Sequence, residues 1–277
     1  MLYPSHPLLS LLTGFLLSGA IALLAMRARA LALSGALAAC LVGRLILSLG
    51  GWLWGGALLT FFLTSTILGR VCRLFARKPT FSHTVDTHYV EPEKGGRRDA
   101  LQVLANGGVA ALCAVCSGLH ILLYGKPDHL FLVLFLASLA TANGDTWATE
   151  IGSSLGGKPH LLTTGRPVPA GTSGGITLAG AMASVAGAAV LALFAWPLGV
   201  RAAATIWGCG VFGVIVDSLL GATLQAQGID PVTGNYTEKL PAGARPDRGL
   251  AWMRNDQVNT LSIICAAVLA LCLFCKI

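Results

Sequence analysis

An all-α, polytopic membrane bundle of about eight helices is what this sequence predicts, on three observations. The 277 residues are 55% hydrophobic and only 11% charged, which is the make-up of spanning segments and not of a soluble domain. The apolar residues fall into eight runs of spanning length, and the basic residues gather in alternate connections. A single integral membrane domain over 1–277 accounts for the chain. Its first three helices cover 8–69, and the chemically distinctive residues lie from about 97 to 277.

Taken in order, the first run is 8–26. It resembles a signal h-region, and Ala28-Arg29-Ala30 resembles a cleavage site, but no positive charge precedes it while Arg27 and Arg29 follow. That polarity predicts a retained anchor with its N-terminus outside. Runs 30–49 and 51–69 meet at Gly50-Gly51, which suits a tight hairpin. The fourth, 101–123, begins with Arg98, Gln102 and Asn106 spaced four residues apart, hence on one helical face. The fifth, 129–149, is apolar from Leu130 to Ala142 and then changes abruptly to Asn143-Gly-Asp-Thr-Trp-Ala-Thr-Glu150. The sixth, 172–196, is opened by Gly171-Thr172-Ser173-Gly174-Gly175; the seventh, 203–226, is interrupted by Asp217; the eighth, 257–275, opens with Asn255, Asp256 and Asn259. Connections 78–97 and 228–254 read as irregular, the second suited to a flexible lid.

With the N-terminus outside, 15 of the 19 Lys and Arg fall in inner connections, leaving only Arg44, Lys126, Arg201 and Lys276 elsewhere. Orientation follows such asymmetry, so both termini are expected outside. The net charge of +7 then belongs mainly to one membrane face, where topogenesis and anionic lipid explain it, and nothing points to nucleic acid. The eight cysteines lie almost wholly in apolar runs and behave as small hydrophobes; Cys113 and Cys116 form a C-x-x-C without a second pair, which makes zinc improbable. None of the six histidines forms a ligand pair on one helix.

The same orientation puts every unusual polar group on the inner side: Arg98–Gln102–Asn106, Asp145–Glu150, the glycine-rich segment, Asp217–Ser218–Gln225, and Asn255–Asp256–Asn259. A structural scatter of polar residues would not favour one face, so the convergence predicts one site open to the cytoplasm. Ionisable groups at membrane depth are functional candidates by default, against the plain alternative of a polar network that locks helices together. Asp145, Glu150 and Asp217 offer the oxygen ligands that suit Mg²⁺ bound with phosphates, and Asp256 is a further metal candidate. Thr146 shares a helical face with Glu150. Gly171 to Gly175 would let backbone N–H groups approach an anion at a helix start, although Gly175, Gly180 and Ala183 also suit helix packing. Arg98, Lys158, Arg166 and Arg254 would clamp phosphate, although each base alone is more often a topology signal.

These residues, in the ordered blocks Gln102-Val-Leu-Ala-Asn106-Gly, Asn143-Gly-Asp-Thr-x-Ala-Thr-Glu150-x-Gly, Gly171-Thr-Ser-Gly-Gly175, Asp217-Ser-Leu-Leu-Gly-Ala-Thr-Leu-Gln225 and Asn255-Asp-Gln-Val-Asn259, resemble the transmembrane protein 19 family. That family includes the plant phytyl-phosphate kinase. The resemblance covers about 97 to the C-terminus. It implies Asp145, Glu150 and Asp217 as catalytic metal or phosphate ligands, with Asn106, Thr172, Asn255 and Asn259 lining the site. Asn143, Ser173, Gly174, Ser218 and Gln225 lie in the same blocks and are taken as substrate-binding candidates. Two departures are Thr149, where the family usually has Ser, and Ser173, where it usually has Asn.

The resemblance implies a Mg²⁺-dependent kinase that moves a phosphoryl group from a nucleoside triphosphate, CTP or ATP, to a phytyl- or geranylgeranyl-type monophosphate. A lipid monophosphate is already an anionic nucleophile near neutral pH, so positioning and charge neutralisation suffice. The expected partners are that lipid and the membrane, with homo-oligomerisation left open. The expected location is a cell inner membrane or its equivalent, with the site on the cytoplasmic face. Two other readings compete: a CTP-dependent cytidylyltransferase acting on a lipid phosphate, and a lipid or ion transporter, although no internal repeat supports transport.

Overall fold

A computed structural model of the protein describes residues 7–76, 97–155, 157–229, 236–237 and 245–274. The connection 78–97, with Lys78 and Lys94, therefore lies largely outside the described residues, as do Arg77, Lys239, Lys276 and much of the expected lid within 228–254.

Eight helices carry the described chain: α1 Pro7–Arg27, α2 Leu33–Gly50, α3 Trp52–Ala76, α4 Ala100–Tyr124, α5 His129–Ser154, α6 Leu178–Ala192, α7 Val200–Thr223 and α8 Asn255–Phe274. Seven of them, α2 to α8, are long and apolar enough to cross a membrane, α6 with the help of the 3-10 turn Leu193–Leu198. The first contributes a shorter apolar stretch, Leu11–Arg27, among the described residues. The protein is thus a polytopic helical membrane protein.

Local chemistry sets several helix ends. Asp99 caps α4 in a reciprocal box: its Oδ1 accepts from the Gln102 N–H at 2.9 Å, and the Gln102 Oε1 accepts from the Asp99 N–H at 3.3 Å. Asp128 caps α5, and Thr177 caps α6 by accepting from the Gly180 N–H at 3.1 Å. Gly125, at φ +70°, ends α4 in the left-handed region open to glycine.

The architecture centres on α5, which packs against α3, α4, α6, α7 and α8. From Leu132 to Gly144 it is buried on almost every side, apart from a partly covered Leu134. This explains why the segment is apolar all round and not striped. Bilayer lipid gives helices little hydrophobic reason to associate, so close approach relies on small residues. Cβ atoms added at Gly210, Gly213 and Gly144 would fall within 2.7 Å of Ala140 Cβ, 2.4 Å of Thr141 Oγ1 and 2.9 Å of the Ser184 carbonyl. The neighbouring backbones are that near. Outside this core, α1 lies on α2, and α2 bridges α3 and α4.

Several expected boundaries move. α3 continues seven residues beyond 69, so Arg70 and Arg73 ride on a helix and not in a loop. α5 runs through Glu150 to Ser154, which makes the whole 143–150 segment helical. The glycine-rich segment does not open the sixth helix: Gly175–Ile176 is a short strand, β2, paired antiparallel with β1, His160–Leu161, and α6 starts only after the Thr177 cap. α7 ends at Thr223, leaving Gln225 just past the helix.

Candidate functional site

The crossing of α5 and α7 builds the centre of the site. Thr141 faces Gly213 there, and Ala140 faces Gly210, so the two helices run in the same direction. One turn further along each stands an aspartate, Asp145 at Thr141 + 4 and Asp217 at Gly213 + 4. The two carboxylates lie within electrostatic reach of each other. α8 closes the third side. Ser262 Oγ donates to Asp217 Oδ2 at 3.1 Å, and the Asn259 amide lies between Asp217 and Asn106. With its nitrogen toward Asp217, that amide donates to Asp217 Oδ2 and to the Asn255 carbonyl, both at 3.1 Å; the reverse orientation gives one long contact to Asn106 Oδ1 of 3.5 Å. We assign the orientation that satisfies the carboxylate.

Glu150 belongs to a different place. At i+5 from Asp145 it points roughly 140° away around α5, by the 100° per residue of an α-helix. It lies against α3, where a Cβ at Gly69 would be 2.7 Å from Glu150 Oε1. The charges it feels are Arg73 and Arg98. No group of three or more His, Cys, Asp or Glu able to hold a metal exists among the described residues. The expected metal set of Asp145, Glu150, Asp217 and Asp256 is therefore not one cluster among the described residues; helical phase turns Glu150 away from Asp145, and Asp256 sits in the first turn of α8. What remains is the aspartate pair, which fits a cation in its own right: two carboxylates in an apolar bundle repel, and the donors found on Asp217 are neutral. Mg²⁺ is commonly held by one or two carboxylates with the remaining positions left to water and phosphate.

Arg98 precedes α4 and is knitted to the α1–α2 turn through its backbone: its N–H donates to Ala30 and its carbonyl accepts from Ala32, each at 3.0 Å. Its guanidinium stands 5.8 Å from the centre of the Phe61 ring. Burial pulls its pKa below the ordinary arginine value, opposed by the nearby Glu150 carboxylate and reinforced by Arg73.

The other expected residues divide into two groups. Gln102 is used by the Asp99 cap, and the Asn106 amide donates to the Gln102 carbonyl at 3.1 Å while facing Asn259. Asn143 is fully buried, its amide donating to the Gly187 carbonyl at 2.8 Å and its Oδ1 accepting from Thr64 at 3.0 Å, so it ties α3, α5 and α6 together. Thr146 bonds back to the Ala142 carbonyl at 2.8 Å. Thr172 is buried on the Pro169 carbonyl, and Gly174, at φ +76°, presses on α7 so closely that a Cβ would lie 2.5 Å from the Ser218 carbonyl. Gln225 is buried beside them, and Arg254 and Asn255 are exposed at the start of α8. Lys158 and Arg166 are exposed around β1, away from any contact with the aspartates among the described residues.

Sequence reasoning missed a second network. Gln227, 2% exposed, accepts at Oε1 from the Ser173 N–H at 3.0 Å and from Arg248 Nη2 at 2.7 Å. Arg248 also donates to the Ser173 carbonyl at 2.8 Å and stacks 5.0 Å from the Tyr236 ring centre. The 171–175 segment is thereby clamped to the end of α7. Gly69, Arg73 and Ser262 also went unread. Ser262 alone carried a usable signal, its i+3 spacing from Asn259.

The family model for "Integral membrane protein DUF92" matches residues 16–267. Protein PGR of Arabidopsis thaliana is 30% identical, with 96% of each chain covered. An uncharacterised membrane protein of Methanocaldococcus jannaschii, MJ0933, is 25% identical over 98% of this chain and 97% of its own. Protein VTE6, chloroplastic, also of Arabidopsis thaliana, is 29% identical over 66% of this chain and 49% of its own. No solved structure matches.

Proposed function

The chain belongs to the DUF92 integral membrane family, and from that premise we propose that it is a membrane-embedded kinase of isoprenoid monophosphates. The observation that carries this reading is the pairing of Asp145 with Asp217 across α5 and α7, at the end of the bundle where Arg98, Asn106 and Asn259 also lie. The likeness of its motif blocks to a family that includes the plant phytyl-phosphate kinase supports the same substrate class.

In this reading Asp145 and Asp217 hold Mg²⁺, whose charge neutralises phosphate oxygens of a nucleoside triphosphate. Ser262 and Asn259 both donate to Asp217 Oδ2 and so fix the carboxylate that would bind the ion. The lipid monophosphate supplies its own nucleophilic oxygen, so no side chain has to remove a proton. Arg98 and Arg254, at the same membrane face, supply positive charge to the phosphates, with Lys158 and Arg166 further out around β1 adding to the field. The prenyl tail stays in the bilayer, which explains why such a site belongs at the rim of a bundle on the cytoplasmic side.

The test is incubation of purified protein with phytyl or geranylgeranyl monophosphate, Mg²⁺ and either CTP or ATP, with both products identified. Lipid diphosphate and nucleoside diphosphate are expected. Asp145→Asn and Asp217→Asn should each lower turnover by about a hundredfold or more, the scale of several kcal/mol of charge stabilisation. Release of pyrophosphate with a nucleotidyl-lipid would instead make the protein a cytidylyltransferase, and full activity of either variant would remove that residue from the site.

A further inference from the structure

The kinase reading leaves Glu150 unexplained, because it stands apart from the aspartate pair with two guanidinium groups for neighbours. Arg73 is new to the site: it comes from the last turns of α3, a helix outside the motif blocks. Glu150 is seated on Gly69 one turn before it, where a Cβ would collide with the carboxylate. Among the described residues no hydrogen bond or ion pair within 4 Å joins the side chains of Arg73, Arg98 and Glu150, although they share one field. Charges held apart in this way leave donors available to a planar or tetrahedral anion. The surroundings are those of a lipid headgroup: Leu74 of α3 and Leu101 of α4 are 68% and 62% exposed beside the two arginines, and α3 and α4 have no extended packing against each other.

Resting on the kinase reading, we propose that Arg73 and Arg98 form the subsite for the phosphomonoester of the lipid substrate, and that Glu150, seated on Gly69, is their counter-ion and positioning residue instead of a metal ligand. The lipid phosphate enters between α3 and α4, meets the two guanidinium groups, and takes over the charge that Glu150 balances in the empty site. Donor phosphates and Mg²⁺ belong at Asp145 and Asp217, the former five residues before Glu150 on α5, and transfer requires the lipid phosphate to pass from the arginines into contact with the donor there.

Binding can be measured without turnover, using full-length protein in detergent, no nucleotide and no Mg²⁺. The probes are geranylgeranyl monophosphate, geranylgeraniol and inorganic phosphate, each titrated by calorimetry. R73Q and R98Q should weaken the monophosphate by about tenfold or more, the worth of one charge-assisted contact, and leave the alcohol unchanged. E150Q should bind the monophosphate more tightly than wild type, since a competing carboxylate is gone, and D217N should keep its affinity. R73K, which retains the charge, and a thermal melt of each variant separate lost contact from lost fold. Equal binding by wild type and a folded R73Q would overturn the subsite, as would loss of binding in E150Q. Arg73-dependent binding of inorganic phosphate as tight as that of the lipid would overturn the assignment to a lipid headgroup. Arg73-dependent binding without turnover on any nucleotide leaves the subsite standing and removes the kinase; turnover with an unchanged KM in R73Q does the reverse.

Discussion

Asn143 makes clear why a polar residue at membrane depth has to be followed to its partners before it is given a chemical role. From the sequence it stands beside Asp145 in a polar block, and both look like site residues. In the fold they point in different directions: Asp145 faces Asp217, while Asn143 is fully buried between the Thr64 hydroxyl and the Gly187 carbonyl. Polar bonds between membrane helices contribute roughly 0.6 to 1.7 kcal/mol each, so Asn143→Ala should cost about 1–3 kcal/mol. Unfolding of the detergent-solubilised variant would measure this loss, with the KM for lipid phosphate unchanged; a raised KM at full stability would return Asn143 to the substrate. Sequence spacing could place Asp145 and Asp217 on candidate faces, because a carboxylate in an apolar run stands out. The five-residue spacing already turns Glu150 away from Asp145 once the helix is known to run on through 150. Its partners were not legible, since neither a glycine such as Gly69 nor a basic residue at a helix end such as Arg73 is distinctive.

At the scale of elements, the spans were legible because some twenty apolar residues in a row admit little else. Their ends were not. The expected sixth span swallowed 172–177, because threonine, serine and glycine are as much at home in small-residue helix packing as in a turn. The structure gives that stretch to a clamp: Gly174 at φ +76° fits against α7, and Gln227 and Arg248 take up the Ser173 backbone on both sides. Burial lowers the Arg248 pKa from its ordinary value, with Tyr236 opposing, so the guanidinium is bound at some desolvation cost. Removing it leaves Gln227 and the Ser173 carbonyl short of a donor. Arg248→Gln should therefore cost about 1.5–3 kcal/mol, the range for a charged hydrogen bond. Amide hydrogen exchange should locate the change: residues 171–175 and 225–227 should lose protection while α5 and α7 keep theirs. Uniform loss across the bundle would show that the clamp holds the whole fold and not this segment.

The whole molecule is a central helix wrapped by others, with the aspartate pair, Arg98, Glu150, Asn259 and the clamped segment all at one of its ends. Which side of the membrane that end faces is a separate question, and the kinase reading depends on it, because nucleoside triphosphates are a cytoplasmic resource. The excess of Lys and Arg in alternate connections argues that this end is inside. Two exposed residues at opposite ends of α5 give the test: Lys126, just before it, and Arg166, in the connection after it. In a background with the native cysteines replaced, K126C should react with a membrane-impermeant maleimide in intact cells, and R166C only after permeabilisation. The reverse pattern would turn the aspartates outward and deprive them of a nucleotide donor. The charge bias would then have to be explained by anionic lipid alone, and the carboxylate pair would be better placed for ion-coupled transport than for phosphoryl transfer.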